Sequence, residues 1–515
     1  MSNHSPKIAV FAACLALTRL THAQDSAGGL TSQGAVELAV QHNPSLHIAL
    51  LQEEQARYAV RAEEALYDPI FDANASYAHN GSPTLRGTDG TVVSVSDIAV
   101  LGAGLTKTFS AGTTVGARVT GQRRVSRSPP INNLGGENAT GPAYSLIGTL
   151  TLSQPFLRGA WNTVGLASVR VARLNRSAAT LATMQTGSQL LHDVLIDYWE
   201  LWYSTEAVQI IEASRDLAKT LEEQAKEQVK SGTLANVDAL PFATQLAEQE
   251  ESMVQQITDQ RQRSLALSQA IGQAGRTGPD LRSADTPPDI DVDDANMRAV
   301  DDALAASYEL KRLQAELEIA QYQAQIAGDA LRPSLNLDAS VSAQGLGNRA
   351  VFPAFEQFGK MDAVSAQVGL TFETPVTSAR RNAQIQNARL AAHITEKQIE
   401  SERQQLRTDV QSAIARRNAA KHRFELAQVT ARVAGQLAEG QRGKFMAGTA
   451  LAIEVQKADD SFRQAQLRVQ RARVDLVEGE LDLLHLRGKL LERYADVLKR
   501  LKPSALTLDD AREPM

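Results

Sequence analysis

The sequence has one cysteine in 515 residues, only 5 % aromatic residues, and no long apolar run beyond "IAVFAACLAL" (Ile8–Leu17) near its start. Each shortage excludes something. Without a later apolar stretch of roughly 20 residues, the chain has no transmembrane helix. If it enters a membrane, it must do so as strands of a closed barrel. With so few aromatics among much Gln, Ala, Leu, Glu and Arg, long helices with narrow apolar seams are expected rather than a thick core. The formal charge of −6 argues against a nucleic-acid partner. No HExxH pair is present, and "GAGLTK" (Gly102–Lys107) lacks the third glycine of a dinucleotide loop. His192, His422 and His485 stand on helical patterns without a partner motif, so they read as solvated or packing residues. No enzyme, cofactor or metal site is expected.

The single cysteine belongs to the N-terminus. Lys7, the apolar run and the small residues of "THAQ" (Thr21–Gln24) form a secretory signal, residues 1–23, cut after Ala23. The alternative is a lipoprotein signal with Cys14 lipidated ("FAAC"), but the apolar run continues past Cys14 and Phe11 fits that signal poorly. Cut after Ala23, the mature chain has no disulfide and no thiol chemistry.

The rest of the chain is written twice. "AVQHNPSLHIALLQEEQA" (Ala39–Ala56) corresponds to "ALAASYELKRLQAELEIA" (Ala303–Ala320), and "YDPIFDANASY" (Tyr67–Tyr77) to "LRPSLNLDASV" (Leu331–Val341). "TLTLSQPFLRGA" (Thr149–Ala160) corresponds to "GLTFETPVTSAR" (Gly369–Arg380), so Pro155 faces Pro375. Last, "SGTLANVD" from Ser231 corresponds to "AGTALAIE" from Ala447, aligning Gly232 with Gly448, Thr233 with Thr449, and Asp238 with Glu454. Four landmarks in one order mark a duplication. The first repeat is residues 24–277 and the second 297–498, with a Pro- and Asp-rich linker at 278–296 and a tail at 499–515.

Each repeat reads helix, strands, very long helix, turn, helix. Strands are expected over about 68–155 and 333–375, where apolar and polar residues alternate as in a sheet with one lipid face and one wet face. A soluble sheet with one dry face predicts the same alternation; export and helix length decide against it. "SVSDIAVLGAGLTKTFSAGTTVGARVTG" (Ser94–Gly121) reads as an added hairpin turning at Ser110–Thr113, either two more strands or an outer cap, and Arg123–Pro142 as an exposed loop. Long helices are expected over about 156–230 and 376–445, the turns at 231–236 and 446–452, and the returning helices to about 272 and 498. Pro155 and Pro375 mark the hinges from strand to helix. In the last helix Val455, Phe462, Val469, Leu476, Leu483, Leu490 and Val497 recur every seven residues with small residues beside them, a seam for antiparallel coiled-coil packing.

From about Leu30 to Leu498 the chain resembles the TolC family of trimeric outer-membrane efflux channels. "AVQHNPSL", the paired "YDPIFDANASY" and "LRPSLNLDASV", "SQPFLRGAWN", and the paired "SGTLANVDAL" and "AGTALAIEVQ" carry the resemblance, in the family's order. It implies an α+β membrane protein: a homotrimer whose subunits share one β-barrel in the outer-membrane lipid, continuous with a hollow α-helical barrel in the periplasm. It implies an exit duct for efflux or type I secretion, opened by a periplasmic adaptor and driven by an inner-membrane pump. The pump selects cargo, so small toxic molecules and secreted polypeptides both suit the duct. A reading of another class is a periplasmic coiled-coil scaffold with no pore.

The resemblance also puts roles on residues. The turns, Gly232, Thr233 and Leu234 and Gly448, Thr449 and Ala450, would lie at the periplasmic tips and meet the adaptor. Glu454 would form a ring of carboxylates at the entrance favouring cations, with Asp238 its counterpart; a carboxylate in a helix's first turn is also favoured by the helix dipole alone. This sequence departs from the family pattern at three places. Lys457 stands where some members carry a second acid and is spaced to pair with Glu454. Ala450 replaces a bridging Arg, and Phe445 an aromatic hydroxyl.

Overall fold

A computed structural model describes residues 29–85, 91–128, 138–160, 165–275, 280–290, 296–374, 377 and 379–496. The signal segment with Cys14, Pro375, Val497 and the tail lie outside the described residues. Ten helices and six strands are present among the described residues.

The duplication is visible in element lengths. Helices α1 (Ser32–His42) and α5 (Asn296–Ala306) each have 11 residues, and α2 (Pro44–Ala65) and α6 (Tyr308–Asp329) each have 22. The caps match too. The Asn43 side chain accepts from the Ser45 and Leu46 amides to start α2, and the Ser307 side chain accepts from Leu310 N–H to start α6. A short polar side chain satisfying the first free amides is the standard start of a helix. The long helices are α3 (Ala167–Lys230, 64 residues) and α8 (Ala379–Met446, 68 residues); at ~1.5 Å per residue each runs on the order of 100 Å. The returning helices α4 (Asn236–Ala270) and α9 (Ala452–Leu486) are again equal, at 35 residues.

Strands β1 (Ile70–Leu85), β2 (Thr91–Thr108), β3 (Thr114–Ser128), β4 (Asn138–Pro155), β5 (Ser334–Asn348) and β6 (Val364–Glu373) form one antiparallel sheet in chain order. The register aligns like with like. One cross-strand row joins Phe71, Leu105, Ala117, Leu150, Val341 and Ala366; the next joins Ala73, Ala103, Val119, Gly148, Ala343 and Val364. On the other face Asp72, Gly104, Arg118, Thr149, Ser342 and Ser365 align, and Arg118 reaches both Asp72 and Asn74. One face is therefore apolar and the other wet. The added hairpin is β2 and the start of β3, paired inside the sheet, so an outer cap is ruled out; its turn is closed by Phe109 N–H on the Thr113 carbonyl.

Four boundaries differ from those the sequence suggests. The first long helix begins at Ala167 rather than near 156. Residues past Pro155 stay tied to the second repeat, Phe156 N–H donating to Leu335 O (2.8 Å), Arg158 N–H to Pro333 O and Gly159 N–H to an Asp329 carboxylate oxygen (2.7 Å). The last helix ends at Leu486 rather than near 498, because Gly488 turns left-handed (φ 65) and Lys489 N–H caps the Leu484 carbonyl. Leu490 of the heptad seam thus lies in a separate short helix, α10 (Leu490–Arg493). The expected strand region 333–375 contains a helix, α7 (Phe352–Lys360). Finally, both ends of the expected loop Arg123–Pro142 are strand; residues 129–137 lie outside the described set.

The described residues fall into two compact units, each built from both repeats. Among the described residues, one draws on those within 29–42, 193–290 and 417–480, the other on those within 43–192, 296–416 and 481–496. In the second unit α5 and α6 pack on α8 through Ala299, Ala303, Leu310, Leu313, Ile399, Leu406 and Val410. In the first, residues 280–290 of the linker are tied to the helices. Leu30 and Ser283 form a bridge, Ser32 donates to the Asp285 carboxylate (2.7 Å), and the buried Tyr198 hydroxyl donates to the Leu30 carbonyl (2.9 Å) while accepting from Asp285 N–H. Burial pushes the Tyr198 hydroxyl up to about 12.

Candidate functional site

The two Gly-Thr turns lie in the first unit and are the same structure made twice. Gly232 and Gly448 are left-handed, at φ 73 and 70. Gly232 N–H donates to Val229 O and Thr233 N–H to Gln228 O; Gly448 N–H donates to Phe445 O and Thr449 N–H to Lys444 O. This pair of bonds satisfies the last free carbonyls of α3 and α8. Each Thr hydroxyl returns to the same carbonyl, at 3.0 Å in both turns. A methyl group on either glycine would meet nothing within 4 Å, so the backbone conformation rather than space demands glycine.

The hairpins are joined by a dry cluster. Leu221, Ala225, Phe242, Phe445 and Val455 are buried together, flanked by Leu234, Ala239, Ala450 and Ala452. The rings of Phe242 and Phe445 lie 5.3 Å apart, inclined at 56°. Leu234 and Ala450, expected on an adaptor-contacting surface, thus flank this cluster. Phe445, standing where the family has a hydroxyl, makes a ring contact across the two hairpins.

Asp238 and Glu454 sit in the first turns of α4 and α9 and are exposed, as is Lys457. Among the described residues Glu454 and Lys457 form no ion pair, so that pairing is not realised. A different one is: Arg442 of α8 lies 2.8 Å from Asp459 of α9. Asp459 is 5 % exposed, and burial pushes its carboxyl above the usual carboxylate range against the pull of Arg442. Sequence reasoning missed it: Arg442 lies four residues before the end of α8 and Asp459 seven after the start of α9, so their pairing is offset from simple antiparallel register.

Pro155 closes β4, and a side chain on Gly112 would strike its ring at 2.8 Å. Two of the histidines are packing residues. His192 and His485, far apart in sequence, stack with centroids 5.1 Å apart; His192 Nε2 donates to Asp482 (2.8 Å), and His485 Nδ1 lies 2.8 Å from the Ser188 hydroxyl. They serve helix packing in the second unit. Among the described residues no cluster of three or more His, Cys, Asp or Glu is set to hold a metal, and no helix is long and apolar enough to cross a membrane.

Residues 299–489, within the second repeat, match the family model of outer membrane efflux proteins. The chain carries an outer membrane efflux protein domain. Its fold is shared with solved efflux channels. The outer membrane protein VceC of Vibrio cholerae matches with TM-score 0.62 and 15 % identity, over 89 % of this chain and 96 % of that one. The Campylobacter jejuni CmeC outer membrane channel matches with TM-score 0.65 and 14 % identity, over 98 % and 99 %. The open state of the Neisseria gonorrhoeae MtrE outer membrane channel matches with TM-score 0.60 and 17 % identity, over 90 % of each chain. No curated protein sequence matches the chain. The resemblance to the TolC family read from the paired motifs is borne out, and the efflux protein domain accounts for the repeat that holds Glu454 and the second turn.

Proposed function

We propose that this chain is the outer-membrane exit duct of a tripartite efflux or type I secretion system, a homotrimer opened by a periplasmic adaptor and powered by an inner-membrane pump. The observation that carries the proposal is the bare apolar face of the sheet. Phe71, Tyr77, Leu101, Val368 and Leu370 are each about two-thirds exposed or more (70, 68, 68, 73 and 68 %). Water does not tolerate a patch of that extent, and lipid does. Among the described residues the edge strands β1 and β6 are unpaired on their outer sides. Both needs are met if copies join edge to edge into a closed barrel, apolar side outward. Three six-stranded sheets fall near the roughly 16–18 strands that leave an aqueous lumen. Asp72, Asn74, Arg118 and Thr149 would then line the lumen.

The helices supply the periplasmic part, with the Gly-Thr turns at its entrance and Glu454 and Asp238 as its charged residues. The turn segments Gly232–Leu234 and Gly448–Ala450 are the adaptor-facing tips, with Gly232, Thr233, Gly448 and Thr449 exposed and Leu234 and Ala450 turned in. The test is conduction: purified full-length trimers in planar bilayers are expected to show discrete ion-conducting steps. Trimers that insert and never conduct would leave the pore-free scaffold.

A further inference from the structure

The apolar face of the sheet ends at a row in which its chemistry changes. Tyr77, Ala99, Arg123, Tyr144 and Gly347 are cross-strand neighbours in that row. Two residues nearer the helices the row is Ala75, Leu101, Gly121, Leu146 and Gly345; two residues beyond it come His79, Asp97 and Val125, then Gly81, Val95 and Arg127. Apolar side chains thus give way to tyrosines and an arginine, then to charge. This is the sequence of environments that a strand meets on leaving hydrocarbon for headgroups.

Helix α7 lies on that boundary. A methyl group on Gly345 or Gly347 would strike the α7 backbone at Ala354 or the preceding Ala350, and one on Gly148 would strike the Phe358 ring at 2.7 Å. Three glycines in adjacent rows of β4 and β5 let the helix settle onto the apolar face. Gln357 accepts from Leu346 N–H (2.9 Å), and Ala354 is buried. The other side of α7 is apolar and bare: Phe352 is 73 % exposed, Phe355 55 % and Met361, its left-handed C-cap, 68 %. Packing within the chain accounts for Ala354 and Phe358 and leaves these three unexplained.

We propose that α7 with Arg123 and Arg127 forms a docking surface for a phosphate-bearing lipid of the outer leaflet. Phe352, Phe355 and Met361 enter the acyl region, and the exposed guanidinium groups of Arg123 and Arg127 take the headgroup phosphate. Of the other charged groups near this patch, Asp97 is engaged by His79 (2.6 Å) and the Tyr77 hydroxyl (3.0 Å), Glu356 of α7 pairs with Lys360 (2.6 Å), and Asp362 and Arg349 flank α7 with opposite signs, so Arg123 and Arg127 give the patch its net positive sign. A second copy is disfavoured as occupant because copies join at the β1 and β6 edges, whereas α7 rests on the face over β4 and β5. The proposal rests on the outer-membrane reading, which makes the sheet end remote from the helices the outer one.

The test uses the full-length protein in vesicles of phosphatidylcholine with and without phosphatidylglycerol. The tryptophan introduced by Phe355→Trp is expected to be quenched by lipid brominated high on the acyl chain, after subtraction of the parent's signal. Arg123→Gln with Arg127→Gln is expected to cut the retention of phosphatidylglycerol relative to phosphatidylcholine by roughly tenfold. Conduction in the same vesicles separates the two readings. The docking surface is overturned if the channel conducts while the Phe355→Trp signal stays unquenched or the arginine variant retains lipid unchanged. Cross-linking between subunits through Phe352→Cys overturns it as well. A quenched Phe355→Trp signal in a non-conducting protein keeps it and sinks the duct.

Discussion

Phe242 in the first hairpin and Phe445 in the second meet ring to ring at 5.3 Å, joining two turns that lie 216 positions apart in a duplicated chain. Each is almost fully buried, yet they sit beside exposed turns and exposed acids. The contact ties the two hairpins of the duplicated chain together beside their turns.

Phe445→Ala is expected to destabilise the hairpin pair by about 3–5 kcal/mol, the usual result of emptying a buried aromatic site. Phe242→Ala should cost a similar amount. A double-mutant cycle in chemical denaturation should return a coupling of about 0.5–1.5 kcal/mol. Strict additivity would mean that the rings are neighbours without being partners.

The Arg442–Asp459 pair makes an asymmetric prediction. Arg442→Leu strands a buried carboxylate and is expected to cost about 3 kcal/mol, the low end for a broken buried pair because the Arg442 side chain is 33 % exposed. Adding Asp459→Leu should recover most of that loss, since no unpaired charge then remains. Thermal unfolding of the two variants decides the matter.

In the first unit, Arg471 is held by three carboxylates: Glu200 (2.5 Å), Asp475 (2.6 Å) and Glu478 (2.9 Å). Arg263 adds a weaker contact to Glu200 and Arg423 one to Asp475, and Tyr203 lies against the Arg471 guanidinium. Burial, followed by the hydrogen bond with Glu200, pushes Glu478 from an ordinary 4.5 up to about 8, although Arg471 pulls it down. For Glu200 burial acts upward as well, but hydrogen bonds from Arg471 and Glu478 outweigh it and hold its carboxyl below the ordinary value. The raised Glu478 binds a proton more tightly in the folded state. Its contribution is therefore fully present below about pH 4.5 and is lost as pH climbs to about 8. Discounted for its 21 % exposed side chain and for the opposite shift of Glu200, this is on the order of 1–2 kcal/mol. The melting temperature should fall across that window, and Glu478→Gln should flatten the fall.

If the chain forms the proposed trimeric duct, Glu454→Gln is expected to lower its cation preference and weaken block by trivalent cations added on the periplasmic side. Asp238→Asn should act in the same direction. Reversal potentials in a salt gradient measure both, and unchanged values in each variant would remove the acids from the entrance.

Much of the architecture was legible because its determinants are local. Alternation along Phe71–Tyr77 and Leu335–Val341 follows from a strand's period of two, and the turns at Gly232 and Gly448 from a backbone that few residues besides glycine adopt. The misses share a cause. The helix expected from 156 starts at Ala167 because Phe156 and Arg158 bond to carbonyls of the other repeat, whose proximity no local pattern encodes. Helix α7 was hidden in a strand region because nine residues are too few for a helical period to stand out, and glycines on β4 and β5 hold it in place. His192 and His485 read as packing residues from the sequence, but that they pack on each other did not, because 293 positions separate them.

The sequence by itself determined most of the strands and long helices, their duplication and the two acid-bearing turns, since each rests on periodicity or on a backbone preference confined to a few consecutive residues. Only the tertiary structure decided which residues those turns are locked by. It put Phe445 on Phe242 and Arg442 on Asp459, and it laid α7 on the apolar face. Contacts between segments remote in the chain are chosen by shape and burial, quantities that exist only after the helices and strands have come together.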